Sequence, residues 1–343
     1  MKQSRGRVID RLLHSDEPSI RWKVLVHVLG EDPHSTKIRE LHEIIRASAR
    51  VKALLANGKR RSEQEPKVYA KYRGAHWVLA ALAEIGYPPG DESLLPMCHR
   101  VLRHWLSTSF YKEFESKSAV PKHRSAEGVP IIRGRYRRCA SQQGSALYSL
   151  TALDLAQEGR QRLAERLLQW QWPDGGWNCD RNPKADTSSF METLLPMRGL
   201  AAYGELSGDR TVREAALRAS EVFLSRRLFK RRSDGKVIHP NFRMLHYPLY
   251  WHYDLLGGLK AMAEMGLIKD TRCEDALDLL ERKELPNAGW PAEGRFYSLA
   301  ATNEPDSVHG SHERVNWGGS GRSRMNEWIT ADALFVLRAA GRI

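Results

Sequence analysis

QWQWPDGGWNCD, residues 169–180, is where a helical pattern stops and the chain turns back on itself. The preceding AERLLQWQ has apolar residues at helical spacing, whereas Pro173 cannot extend a helix interior. The adjacent Gly175 and Gly176 supply backbone angles that other residues avoid. The expected result is a tight turn that projects the large indole of Trp177 back onto the helix before it.

On either side of this turn, two kinds of helical segment alternate. One begins with polar or aromatic residues, becomes small and apolar, and ends near glycine. It occurs as YRGAHWVLAALAEIG (72–86), SQQGSALYSLTALDL (141–155), SSFMETLLPMRGLAAYG (188–204), WHYDLLGGLKAMAEMG (251–266) and NEWITADALFVLRAAG (326–341). SIRWKVLVHVLG (19–30) is a further apolar segment of this type. The other kind is amphipathic and charged, with apolar residues three and four apart. It occurs as TKIRELHEIIRASARVKALLA (36–56), SLLPMCHRVLRHWL (93–106), QRLAERLLQWQ (161–171), DRTVREAALRASEVFLSRRL (209–228) and DTRCEDALDLLERK (270–283). About six helix pairs recur, as in a helical repeat array, and no alternating β pattern competes with them. The expected fold is all-α. Small residues on the first kind of helix permit close approach around a shared centre, and the charged kind suits an outer ring. The expectation is an (α/α)6 toroid forming one domain over residues 1–343, with an open solenoid as the alternative.

The spacing Gln171-x-x-x-Gly175-x-Trp177 resembles the Gln-Trp motif of the squalene-cyclase and protein-prenyltransferase superfamily. That resemblance implies a closed ring of helices, with functional groups at or just before the starts of the inner helices. The residues at those positions here are Arg73 and His76; Ser141, Gln142 and Gln143; Asp186, Ser188 and Glu192; Trp251, His252, Tyr253 and Asp254; and Asn326 and Trp328. Class II triterpene cyclases place a DxDDTA-type acid motif after a Gln-Trp turn, where KADTSSFMETLLPMRGL (184–200) has the single acid Asp186. The flanking carboxylates that keep such an acid protonated are missing. Protein prenyltransferases place an Asp and a Cys two residues apart here to bind zinc, with a histidine from a later helix. In this chain Ser188 follows Asp186, and serine is a poor zinc ligand. Cys179, Asp180 and His252 are the residues that could substitute. No cofactor and no metal is assigned on this basis.

The catalytic candidates are therefore Asp186, Glu192, His252 and Asp254. The candidate substrate-binding residues are Arg73, His76, Gln142, Gln143, Trp251, Tyr253, Asn326 and Trp328. HYPLYWHYDLL (246–256) concentrates aromatics that can face a carbocation or stack on a sugar, and His252 with Asp254 or Glu192 can form an acid/base pair. Long segments at 108–139, 229–250 and 287–326 each precede an inner helix, so a ring would gather them at one mouth. The resemblance implies a hydrophobic, isoprenoid-type small molecule as ligand. Two other classes stay open: a carbohydrate-active (α/α)6 enzyme using Glu192 and Asp254, and a non-enzymatic helical-repeat protein with a basic surface for nucleic acid or a partner.

Bulk composition narrows the field. The 343 residues are 41% hydrophobic and 28% charged, enough for a large core. Lys and Arg number 54 against 41 Asp and Glu, a formal charge of +13 concentrated in KRR (59–61), RGRYRR (133–138) and RRLFKRR (226–232). No apolar run is long enough to span a membrane, and the start lacks a secretory apolar stretch. Cys98, Cys139, Cys179 and Cys273 are scattered without a CxxC pair, which points to a reducing, cytoplasmic setting.

Overall fold

The computed structural model describes residues 2–57, 67–107, 128–286, 288–299, 312–313 and 315–343. The fold is all-α, as the helical periodicities require. The helices are α1 Lys2–Leu13, α2 Pro18–Lys23 with a π-helical turn Val24–Val28, α3 Thr36–Ala47, α4 Ala49–Asn57 and α5 Ala75–Glu84. They continue with α6 Leu95–Leu106, α7 Ala140–Ala152, α8 Gln157–Trp170, α9 Phe190–Ser207, α10 Arg210–Leu224, α11 Leu255–Glu264, α12 Glu274–Arg282 and α13 Glu327–Ala339. Two minimal sheets accompany them: antiparallel β1 (Ile131–Ile132) and β2 (Arg135–Tyr136), and parallel β3 (Ser298–Leu299) and β4 (His312–Glu313). No helix among the described residues is long and apolar enough to cross a membrane.

All five segments of the small, apolar kind contain helices, and one predicted charged helix is two. TKIRELHEIIRASARVKALLA breaks at Ser48, whose backbone is extended (φ −64°, ψ 154°). The Ser48 hydroxyl accepts from the Val51 N–H at 3.2 Å, so the serine starts α4 rather than continuing α3. α1 lies before the first apolar segment recognised in the repeat. KRR (59–61) and residues 108–127 fall outside the described residues.

Contacts divide the chain into two compact units. One comprises Met1–Pro88 with Leu224–Ile343, and the other Pro89–Phe223. In the second unit α7 packs along α9 at backbone contact. A Cβ on Gly144 would meet the Pro196 nitrogen at 2.2 Å, and one on Gly199 would meet the Gly144 carbonyl oxygen at 2.6 Å. These small residues let the two helices approach more closely than side chains allow.

The 169–180 stretch forms a clasp. Gln171 caps α8, and its Nε2 donates to the carbonyls of Gly175 (2.7 Å) and Ala215 (2.8 Å). Arg218 donates back to Gln171 Oε1 at 3.0 Å, so α8 is tied to α10. Trp177 is 1% exposed; its indole donates to the Leu167 carbonyl at 3.0 Å and its N–H to Thr193 Oγ1 at 3.2 Å. Gly289–Trp290 repeats this geometry in the first unit. There the Trp290 indole donates to the Leu280 carbonyl at 2.7 Å and its N–H to Thr330 Oγ1 at 2.9 Å. In both turns an indole reaches ten residues back along the preceding helix, while its backbone is held by a threonine of the following helix.

The core of the first unit also holds a charged network. Lys23 lies 2.7 Å from Asp332, and Lys260 lies 2.7 Å from Glu84 and 3.3 Å from Asp332. Burial lowers the Lys23 ammonium below its ordinary pKa. For Asp332 burial acts upward, but Lys23 and Lys260 outweigh it and hold the carboxyl below the usual range.

Candidate functional site

In the Met1–Pro88/Leu224–Ile343 unit, four stretches of chain converge on one aromatic surface: the entry to α5, residues 246–254, residues 296–297 and β4. Just outside these stretches, Glu293 accepts from the Leu245 N–H at 3.0 Å and pairs with Lys283 at 2.6 Å. Tyr72 and Tyr250 pack with ring centroids 4.4 Å apart and planes tilted by 40°, and Trp77 lies 5.4 Å from Tyr250 and 5.2 Å from Trp251. Tyr297 closes the group at 6.2 Å from Tyr72, whose hydroxyl donates to the Phe296 carbonyl at 2.9 Å. Tyr72, Trp77 and Tyr297 are buried and form a floor, while Tyr69, Trp251, His252 and Phe296 are half-buried around it.

Beneath these rings sits Glu313, only 1% exposed. Its carboxylate accepts from the Tyr250 hydroxyl and from the Val315 N–H. Burial, then the Glu313 charge, pushes the Tyr72 phenol up to about 12 and Tyr250 well above its ordinary value, so both remain donors at neutral pH. Tyr72 (φ +64°) and Tyr250 (φ +52°) also carry left-handed backbones, which are costly for bulky residues and persist only where the surroundings enforce them. Burial, then His246 and Lys71, lower the His252 imidazole to about 4, and the ring stacks on Phe296 at 3.7 Å. It is therefore neutral at physiological pH and faces the same surface.

Other predicted residues of this unit serve structural ends. Asp254 is 1% exposed; it caps α11 through the Gly257 N–H (2.8 Å) and accepts from the His246 N–H (2.8 Å). Its hydrogen-bond capacity is thus spent on backbone, with His246 Nδ1 a further 3.3 Å contact. Asn326 caps α13 through the N–H groups of Trp328 and Ile329 and donates to the Trp317 carbonyl. Trp328 is buried against Tyr247 and Trp317, and Tyr253 is buried with its hydroxyl on the Leu228 carbonyl at 2.6 Å. His76 packs edge-on to Trp77 at 4.7 Å and belongs to the aromatic group, and Arg73 is half-buried at the entry to α5.

In the Pro89–Phe223 unit a second cluster forms where α7 and α9 begin. Glu192, in the first turn of α9, accepts the Ser141 N–H through Oε2 at 3.0 Å and the Cys179 thiol through Oε1 at 3.5 Å. Cys139, the residue preceding α7, completes a group whose ligand atoms all lie within 4.8 Å of one another. Its hydrogen bond to Cys139, then burial and the Glu192 charge, raise the Cys179 thiol pKa, and burial raises that of Glu192. Of the residues considered for metal at the sequence level, Cys179 joins this group. Asp180 is exposed, with its side chain accepting from the Asn182 N–H, and His252 stands in the other unit.

Asp186 lies exposed on the loop between the clasp and α9. Ser188 is buried and bonds Asp174 at 2.6 Å, and Ser189 precedes α9 without a capping side-chain bond. Gln143 is buried and donates to the Trp105 carbonyl at 3.3 Å, while Gln142 is half-buried. Glu192 and Asp254, the pair considered for glycoside chemistry, stand in different units.

The two basic runs among the described residues make internal contacts. RGRYRR forms the β1–β2 hairpin and its exit, with Trp172 donating to the Tyr136 carbonyl at 2.7 Å. Arg137 is 2% exposed, lies 4.4 Å from the Trp172 ring and donates to the Asp180 carbonyl at 2.9 Å. In RRLFKRR, Arg227 and Lys230 both pair with Asp275.

Glu313, Tyr72, Tyr297 and Cys139 were not singled out by sequence. Glu313 sits in the short strand β4 with no local motif around it, and Cys139 shows no spacing to Cys179 that would announce a pair.

No protein-family model matches this chain, and no curated protein matches it. Among solved structures it is similar to a protein from Actinoplanes, at 16% identity over 99% of each chain with a TM-score of 0.44, a likeness that carries no argument about fold or function.

Proposed function

We propose that this chain is a helical toroid of the Gln-Trp type that binds a hydrophobic, isoprenoid-type molecule on the aromatic surface around Tyr250 and Trp251. The observation that carries the reading is the contiguous set of rings, half of it accessible, laid over the buried carboxylate of Glu313. Ring faces attract cations, and a carboxylate below them adds to that field when ionised, so the surface suits an apolar chain bearing or developing positive charge. His252, neutral and half-buried beside Trp251, is positioned to take a proton from such a species. The repeated Gly-Trp turn, one in each unit, supports the ring architecture of the proposal.

Titration with farnesol and with farnesyl diphosphate, followed by tryptophan fluorescence, tests the reading. Saturable quenching is expected, and Trp251→Ala is expected to weaken it by roughly tenfold, the loss of one stacked indole. Quenching by neither probe, or equal affinity in Trp251→Ala, removes this surface as the site. Quenching by an oligosaccharide alone would instead favour the carbohydrate reading. Turnover of a labelled isoprenoid that is unchanged in Asp186→Asn would remove Asp186 as the acid.

A further inference from the structure

Three ligand atoms from three separately anchored elements meet in the Pro89–Phe223 unit. Cys139 directly precedes α7, and Glu192 lies in the first turn of α9, the helix that touches α7 at backbone contact through Gly144. Cys179 follows the clasp, whose Trp177 N–H is held by Thr193, the residue after Glu192. The cluster is thus fixed by the same packing that fixes the unit.

Its dimensions are compatible with those of a coordination polyhedron. The sulfur atoms of Cys139 and Cys179 and a Glu192 oxygen lie within 4.8 Å of one another, and Cys179 Sγ is 3.5 Å from Glu192 Oε1. Around a tetrahedral ion with bonds of about 2.3 Å to sulfur and about 2.0 Å to oxygen, a sulfur–oxygen edge is about 3.5 Å and a sulfur–sulfur edge about 3.8 Å. The two carboxylate oxygens are also divided in function. Oε2 takes the Ser141 N–H at 3.0 Å, which orients the group and leaves Oε1 facing the thiols.

We propose that Cys139, Cys179 and Glu192 bind one zinc-type divalent cation through two thiolates and one carboxylate oxygen, with a fourth position open to water or another exogenous ligand. Thiolates select a borderline-soft ion over magnesium or calcium. Both thiol protons leave to solvent as the two metal–sulfur bonds form. No fourth Cys, His, Asp or Glu ligand atom among the described residues joins the group, and all three residues are partly exposed. Three protein ligands with an accessible fourth position are the pattern of a reactive rather than a closed structural site.

The test is cobalt(II) titration of the full chain, reduced and stripped of metal. One cobalt per chain is expected, with a thiolate-to-cobalt charge-transfer band. Cys139→Ser and Cys179→Ser are each expected to abolish the band, Glu192→Gln to weaken affinity by about 10- to 100-fold, and Cys98→Ala, in the core of the same unit, to leave binding unchanged. X-ray absorption on the zinc-loaded wild type gives a measurement independent of how the variants fold, with two sulfur and two lighter donors expected. Absence of stoichiometric uptake overturns the assignment, as does fewer than two sulfurs at zinc or an unchanged cobalt spectrum in both serine variants.

Discussion

Tyr72 and Tyr250 meet with their ring planes tilted by 40° while both hold left-handed backbones, and the hydroxyl of Tyr250 rests on a carboxylate buried below. A left-handed bulky residue costs on the order of 1–2 kcal/mol, so two in contact mark a place where the fold sustains strain to aim side chains. His252 in the same group gives a pH prediction with a definite sign. Its folded pKa, about 4, lies below the ordinary 6.5, so the unfolded chain binds its proton first. The contribution is fully present above pH 6.5 and is lost as pH falls from 6.5 towards about 4. His252→Phe, which keeps the stack on Phe296, should flatten that loss by about 1–2 kcal/mol once screening of a half-buried ring is allowed for. Urea melts of both proteins at the two ends of the window would show it, and parallel curves would refute it. The sequence drew attention to His252 and Trp251 because they are dense and aromatic. It did not reveal Glu313, because a lone acid has no local signature until folding buries it under tyrosines.

Helix-terminal turns carry the most legible part of this chain. The proline, the paired glycines and the indole of 169–180 act through near-neighbour sterics, and the clasp forms as those sterics require. Gly175 has φ +96°, and a Cβ there would meet the Arg218 carbonyl oxygen at 2.3 Å; Gly289 has φ +77°, and its Cβ would meet Thr330 Cγ2 at 2.6 Å. Gly175→Ala and Gly289→Ala should each destabilise by roughly 2 kcal/mol or more, combining left-handed strain with displacement of a neighbouring element. Gln171→Ala should cost about 1–2 kcal/mol for two lost bonds to carbonyls. Denaturant midpoints give the comparison, and a Gly175→Ala midpoint equal to wild type would show that the turn does not act as a clasp. The polar residues expected at inner-helix starts were less legible. Asp254 and Asn326 are caps with satisfied oxygens, Glu192 reaches a different helix, and Asp186 is exposed. One-dimensional spacing gives the same appearance to all four.

Each unit is built around contacts that sequence separation conceals. In the first, Lys23, Glu84, Lys260 and Asp332 bring α2, α5, α11 and α13 into one network of two cations and two anions. Removing one cation leaves a net buried charge. Lys23→Met should therefore destabilise by about 3–5 kcal/mol, while Lys23→Met with Asp332→Leu, which leaves the Lys260–Glu84 pair balanced, should recover much of the loss. Chemical denaturation of the single and double variants decides it; a double variant no more stable than Lys23→Met would mean that packing, not charge, sets the cost.

Local chemistry settled the all-α class, the alternation of small apolar and amphipathic helices, and the Gly-Trp turns. Each depends on residues within about ten positions of one another, where period, proline and glycine act directly. Tertiary packing alone decided that Cys139 meets Cys179 and Glu192, that Glu313 lies under Tyr250, and that much of RGRYRR packs around Trp172. Those meetings depend on which helix faces which, through close approaches such as Gly144 against Pro196. A linear chain carries no marker of distance in space between residues so far apart.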